Sequence, residues 1–142
     1  KENNKVIKYV TDFANKDVVK LPHTICLPHL GASTAEAEDN CAIMAIEQLI
    51  DYIENGNIKN SVNYPNCNAG IKCGTYRLCI NHKNISGMIA KFSTVISNDN
   101  GNIENLVNKS RGEYAYSVID ITGEFKLEDI EAIPGVLKVR VL

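Results

Sequence analysis

The sequence predicts an α+β chain: two short strands and one long helix, followed by a β-α-β-β-α-β module. Three observations predict it. Four segments of the last part read as strands, the first with its apolar residues on one face and the last alternating apolar and polar. Two stretches between them carry apolar residues at helical spacing. A long run ahead of the module reads as one helix, with a start signal and a stop signal.

Taken in order, Val6 to Phe13 is β-branched and aromatic and reads as a strand. Ala14 to Leu21 is polar and loop-like, and Thr24 to Leu27 is a second short strand ended by Pro28. The long helix is predicted from about Thr34 to Asn55. Ser33 and Glu36 fit a capping box, and Asn55-Gly56 supplies a C-terminal stop. Its apolar positions nearly encircle it, so it asks for burial on more than one side. Residues 61–74 are rich in Asn, Gly and Pro and read as a linker.

The module spans 75–142. Thr75 to His82 is a strand with Tyr76, Leu78 and Ile80 on one face. Asn84 to Gly87 turns into a helix whose buried face is Met88, Ile89, Phe92, Val95 and Ile96. Asn102 to Lys109 and Tyr114 to Ile121 are strands around a turn at 110–113. A short helix follows within 123–134, with Leu127, Ile130 and Ile133 inward. The last strand points Leu137, Val139 and Val141 inward. This order is the split βαβ, ferredoxin-like arrangement. Two helices on one face of its sheet leave the other face free, and so small a core gains stability by pairing with a second copy.

Composition excludes several function classes. With 44% hydrophobic and 23% charged residues the chain is an ordinary globular one. A net charge of -2 with scattered Lys and Arg argues against nucleic acid and membrane surfaces as partners. No apolar stretch is long enough to span a bilayer. Five cysteines cannot all pair within one chain, and the spacing of Cys67, Cys73 and Cys79 is not that of a zinc site. Free thiols, no metal and a cytoplasmic location are expected. A nucleotide-binding enzyme with its own substrate domain does not fit in 142 residues, so the chain reads as a piece of something longer.

Leu27-Pro28-His29-Leu30-Gly31-Ala32-Ser33-Thr34, followed by Ala35-Glu36-Ala37-Glu38, resembles the segment around the catalytic His of D-2-hydroxyacid dehydrogenases. Residues 54–65 resemble the connection out of the catalytic core of such enzymes. The 75–142 module resembles an ACT domain, the regulatory module of many of them; Val118-Ile119-Asp120-Ile121 and Ala132-Ile133-Pro134-Gly135 also fit. The resemblance implies that 1–60 is the tail of a Rossmann-type core. It implies that His29 takes the proton of a substrate hydroxyl while hydride leaves for NAD, and that Gly31 and Ala32 let the backbone approach the nicotinamide. Many members carry a Glu that pairs with this His. Here Lys16 or Asp17 occupies its place, depending on alignment. The dinucleotide loop G-x-G-x-x-G and the family's catalytic Arg are absent, so this chain alone is expected to be inactive.

ACT domains that bind serine carry His-x-Asn-x-x-Gly after the first strand and an Asn opening the second. The matching residues are His82, Asn84, Gly87 and Asn102, with Ile85-Ser86 where Arg-Pro is usual. The resemblance implies that L-serine, or another small amino acid, binds at the interface of a homo-oligomer made by ACT sheet pairing. The alternative is a module that serves assembly alone. Outside its parent, the 1–60 half is expected to be held by chain–chain contacts or to be partly disordered.

Overall fold

The computed structural model describes residues 8–142. Val6 and Ile7, the start of the first predicted strand, lie outside the described residues. The chain divides into two compact units, 1–44 and 45–142, with the boundary inside the long helix.

In the first unit, β1 (Tyr9–Thr11) and β2 (Thr24–Cys26) pair in parallel, Tyr9 opposite Thr24. A parallel pair needs a crossover rather than a tight turn. The crossover contains a 3-10 turn, Val18–Lys20, where a plain loop was expected. Asn15 explains it: its Oδ1 accepts the N–H groups of Asp17 (3.1 Å) and Val18 (2.9 Å) and starts the turn.

Helix α1 (Ala35–Asn55) has the predicted extent, but its cap differs. The Thr34 hydroxyl, not Ser33, accepts the Ala37 N–H at 3.2 Å. With Thr34 as the cap, the third helical residue is Ala37, which cannot reach back as a Glu would, so the reciprocal box is not formed. None of the helix's residues is buried, and Ile43, Leu49 and Ile53 are more than half exposed.

The second unit holds a four-stranded antiparallel sheet in the order β4-β5-β3-β6, from β3 (Tyr76–Lys83), β4 (Asn102–Arg111), β5 (Tyr114–Thr122) and β6 (Val136–Val141). Helices α2 (Met88–Asn98) and α3 (Leu127–Glu131) follow β3 and β5. The order is that of a ferredoxin-like fold. Leu78, Ile80, Ile119 and Ile121 meet Met88, Phe92, Ile96 and Ile130 in the core. Tyr76 stays partly exposed and packs on Phe125.

The inward residues of β6 differ from expectation. Val136 and Val139 pack on the core, and Leu137 is half-exposed. An irregularity between Asn81 and His82 shifts the register, so the simple alternation fails there.

The second face of the sheet is not free. Residues 56–71 lie against it, where Cys67, Cys79, Tyr116 and Val118 form a second buried cluster with Ile58, Tyr64 and Ala69 around it. An antiparallel bridge joins Ile58 to Cys67. Arg77 organises the rest. Its guanidinium, wholly buried, donates to Asp120 (2.5 and 2.7 Å) and to the carbonyls of Asn55, Ala69, Gly70 and Ile71. Arg140 clasps the last turn of α1: it donates to the Tyr52 and Ile53 carbonyls and stacks over the Tyr52 ring at 4.5 Å. A cation there satisfies the open carbonyls of a helix C-terminus.

Candidate functional site

Two places carry the predicted site residues. The first is the loop after β2. His29 Nδ1 lies 3.0 Å from Asp12 Oδ2, and both side chains are more than half exposed. Asp12 follows β1 directly, and the parallel register carries the end of β1 to the end of β2. An N–H on Nδ1 donates to that carboxylate and leaves Nε2 as the bare acceptor. Phe13 meets the imidazole edge-on, with centroids 5.3 Å apart. The carboxylate beside His29 is thus Asp12, not a residue of the Lys16–Asp17 stretch. No local signal in the sequence marks Asp12, because the parallel pairing that brings it to His29 is a tertiary property. Gly31 and Ala32 are exposed in the same loop, and a Cβ on Gly31 would touch nothing within 4 Å.

The second place is the end of the sheet where β3 meets α2. Asn84 donates from its backbone to the Glu113 carbonyl (2.8 Å) and from Nδ2 to the Gly112 carbonyl (3.0 Å). Gly87 takes φ +79 ahead of α2, a left-handed conformation that side chains disfavour. No side chain caps this helix, so its first N–H groups stay open. A cleft of about 330 Å³ sits at this end of the sheet, in the loop that leads to α2, lined by Lys83, Asn84, Ile85, Glu113 and Tyr114.

His82 is placed differently from a surface ligand. It is 2% exposed, with its ring edge-on to Phe92 at 5.2 Å. Its Nδ1 donates to the Lys83 carbonyl at 2.8 Å. Its Nε2 lies 2.9 Å from the Ser117 Oγ and 3.3 Å from the Asn108 Oδ1. Both ring nitrogens are therefore engaged inside the fold, as a buried polar group requires.

Asn102 lies at the opposite end of the sheet. It pairs with Thr122, whereas Lys83, next to Asn84, pairs with Tyr114 at the other end of β5. That is eight residues of strand, roughly 27 Å. Asn102 donates to Glu104 Oε1 (2.8 Å), which also accepts from Thr122 (2.8 Å). The two donors, Thr122 foremost, hold the Glu104 carboxyl below its ordinary range. One chain thus brings His82, Asn84 and Gly87 to one end of the sheet and Asn102 to the other.

The pair that sequence reasoning missed is Arg77–Asp120. Burial pushes the Asp120 carboxyl up, but the hydrogen bonds from Arg77 and Cys73 outweigh it and the net shift is downward. Cys73 Sγ lies 3.0 Å from Asp120 Oδ2, and that bond raises the thiol. The signal was a charged residue inside each of two apolar strands, Arg77 near the start of β3 and Asp120 near the end of β5; their registration opposite each other was not readable. Among the described residues no cluster of His, Cys, Asp or Glu could hold a metal ion, and no helix is long and apolar enough to cross a membrane.

No protein-family model matches the chain. Curated relatives do. The chain is 35% identical over 112 residues, 75% of its length, to D-3-phosphoglycerate dehydrogenase 1 of Saccharomyces cerevisiae. It is 30% identical over 84% of its length to D-3-phosphoglycerate dehydrogenase of Escherichia coli, and 28% identical over 89% to that of Dictyostelium discoideum. The chain spans between 23% and 31% of the length of these three relatives.

Proposed function

We propose that this chain, a relative of the D-3-phosphoglycerate dehydrogenases, is the C-terminal part of such an enzyme and holds its L-serine sensor. The parent reaction is the NAD-dependent oxidation of 3-phosphoglycerate to 3-phosphohydroxypyruvate, the first step of L-serine biosynthesis. In it His29 is the general base. Asp12 holds the imidazole with Nε2 bare, so that nitrogen takes the proton of the substrate hydroxyl as the C–H bond yields its hydride. NAD, when bound, accepts that hydride. Gly31 and Ala32 present backbone without bulk on that side of the loop, and the open space over Gly31 fits a planar ring. The phosphates of a dinucleotide would be cradled by a part of the enzyme that this sequence does not contain.

Residues 75–142 act as an ACT domain. The observation that carries this reading is the cleft at Asn84. It offers one charge of each sign, Lys83 and Glu113, in the loop that leads into the uncapped α2. A zwitterionic amino acid needs that complement: cation and helix terminus for the carboxylate, carboxylate for the ammonium. Asn84 Oδ1 remains as an acceptor. Asn102 completes the site from a second chain, because its own chain carries it to the far end of the sheet. Product bound across such an interface favours one arrangement of subunits and inhibits at a distance. The buried His82 supports the loop from beneath through the Lys83 carbonyl.

Titration calorimetry of the chain with L-serine, with D-serine and glycine as controls, tests this. Saturable binding that prefers L-serine is expected, and Asn84→Ala and Asn102→Ala each abolish it. Equal silence for all three would leave assembly, or a sensor for another amino acid. That second reading is favoured by Ile85-Ser86 in place of the usual Arg-Pro and by the Asn84 amide donating to its own chain.

A further inference from the structure

A cleft of about 480 Å³ opens on the other face of the sheet, wholly within residues 45–142, between the last turns of α1, the 57–64 segment and β3. Its volume is that of a small-molecule site. Leu49, Tyr52, Ile58 and Tyr64 supply an apolar wall. Asn81 also lines it, a half-buried polar residue towards the end of the central strand β3, flanked in register by Tyr116 and Lys138. Among the described residues the Asn81 amide finds no hydrogen-bond partner, and neither do the side chains of Gln48 and Lys59, which also line the space. Lys59 is exposed and Gln48 and Asn81 are half-buried, so their polar groups face the open cleft and are available to a ligand that enters it. Lys59 is the one charged residue in the lining; the Asp51 carboxylate is engaged by the Asn57 amide at 2.8 Å.

We propose that this cleft is a second ligand site, separate from the Asn84 loop, for a small monoanion with a short apolar body. The acid group sits on Lys59 and the Asn81 amide, where a carboxylate gains charge-assisted hydrogen bonds. The apolar body lies along Leu49, Tyr52 and Ile58. The inference rests on this cleft alone and stands whether or not serine binds elsewhere.

The test is a titration of the 142-residue chain, followed by ¹⁵N–¹H spectra, with sodium hexanoate, hexan-1-ol and hexylammonium chloride. Hexanoate should give saturable shifts at Lys59, Ser61 and the Asn81 side chain, and should bind about tenfold tighter than the alcohol. Hexylammonium should bind most weakly. Lys59→Gln and the near-isosteric Asn81→Asp should each weaken hexanoate by about tenfold while leaving the spectrum dispersed. Asn81→Asp places a carboxylate against the ligand's own. Equal responses to the three probes, shifts confined to the Asn84 loop, or no shifts at all would overturn the proposal.

Discussion

At the scale of single residues, His29 was legible because its neighbours in sequence mark it, whereas its partner was not. Asp12 is remote in sequence and reaches His29 only through the parallel pairing of two three-residue strands. In the full-length enzyme Asp12→Asn should lower kcat on the order of 10²-fold with KM little changed, since it removes the charge that holds the imidazole and not a substrate contact. Steady-state kinetics of that variant decide it; an unchanged kcat would remove Asp12 from the mechanism. Asp120 carries the clearest pH consequence. Its carboxyl titrates below its unfolded value, so its contribution is fully present above about pH 4 and lost as pH falls through the folded-state value. Asp120→Asn should therefore flatten the acid side of the stability profile. At neutral pH it should cost about 3–5 kcal/mol, because it leaves the wholly buried Arg77 without its counter-charge. Urea melts across the acid range measure both effects. Buried Cys67 is pushed up to about 11, chiefly by burial, so it should alkylate far more slowly than exposed Cys26 or Cys41.

At the scale of elements, the helices of 75–142 were readable from their apolar spacing and the strands from apolar and β-branched runs bounded by turns, although β3 and β5 are buried on both faces. The exceptions have local causes. The irregularity at Asn81 and His82 replaces Leu137 and Val141 by Val136 as the inward partner of Val139, which no alternation rule foresees. The start of α1 passed from Ser33 to Thr34 because capping depends on backbone direction as well as on residue type. The 61–74 stretch, without any period, is nevertheless ordered against the sheet by Arg77, which donates to the Gly70 and Ile71 carbonyls, and by Tyr116, whose ring meets that of Tyr64 edge-on at 6.2 Å. Gly74 ends that stretch where a Cβ would lie 2.6 Å from the Ile121 carbonyl oxygen, so the chain passes β5 only because no side chain is there. Gly74→Ala should cost about 1–3 kcal/mol, read as a shift in the urea midpoint with an unchanged slope.

At the scale of the whole molecule, the exposed apolar residues of α1 and the division of Asn84 from Asn102 pose the same question of what completes the chain. For the proposed serine sensor, the proposed answer is a second copy. A mixture of Asn84→Ala and Asn102→Ala chains should then recover up to one of the two sites per dimer, although each variant alone binds nothing. Calorimetry of the mixture reads this directly, and a silent mixture would mean that both residues serve one chain's site. The sequence by itself determined the element order, the ferredoxin-like topology, the His29 loop and the resemblance to D-2-hydroxyacid dehydrogenases, because periodicity, caps and short motifs are local properties. The tertiary structure alone decided that Asp12 stands beside His29, that Arg77 and Asp120 pair beneath an apparent linker, and that His82 is buried. It also decided that Asn102 lies a full strand away from Asn84. These are contacts between residues far apart in the chain, and their geometry depends on strand register, which a one-residue slip would reverse.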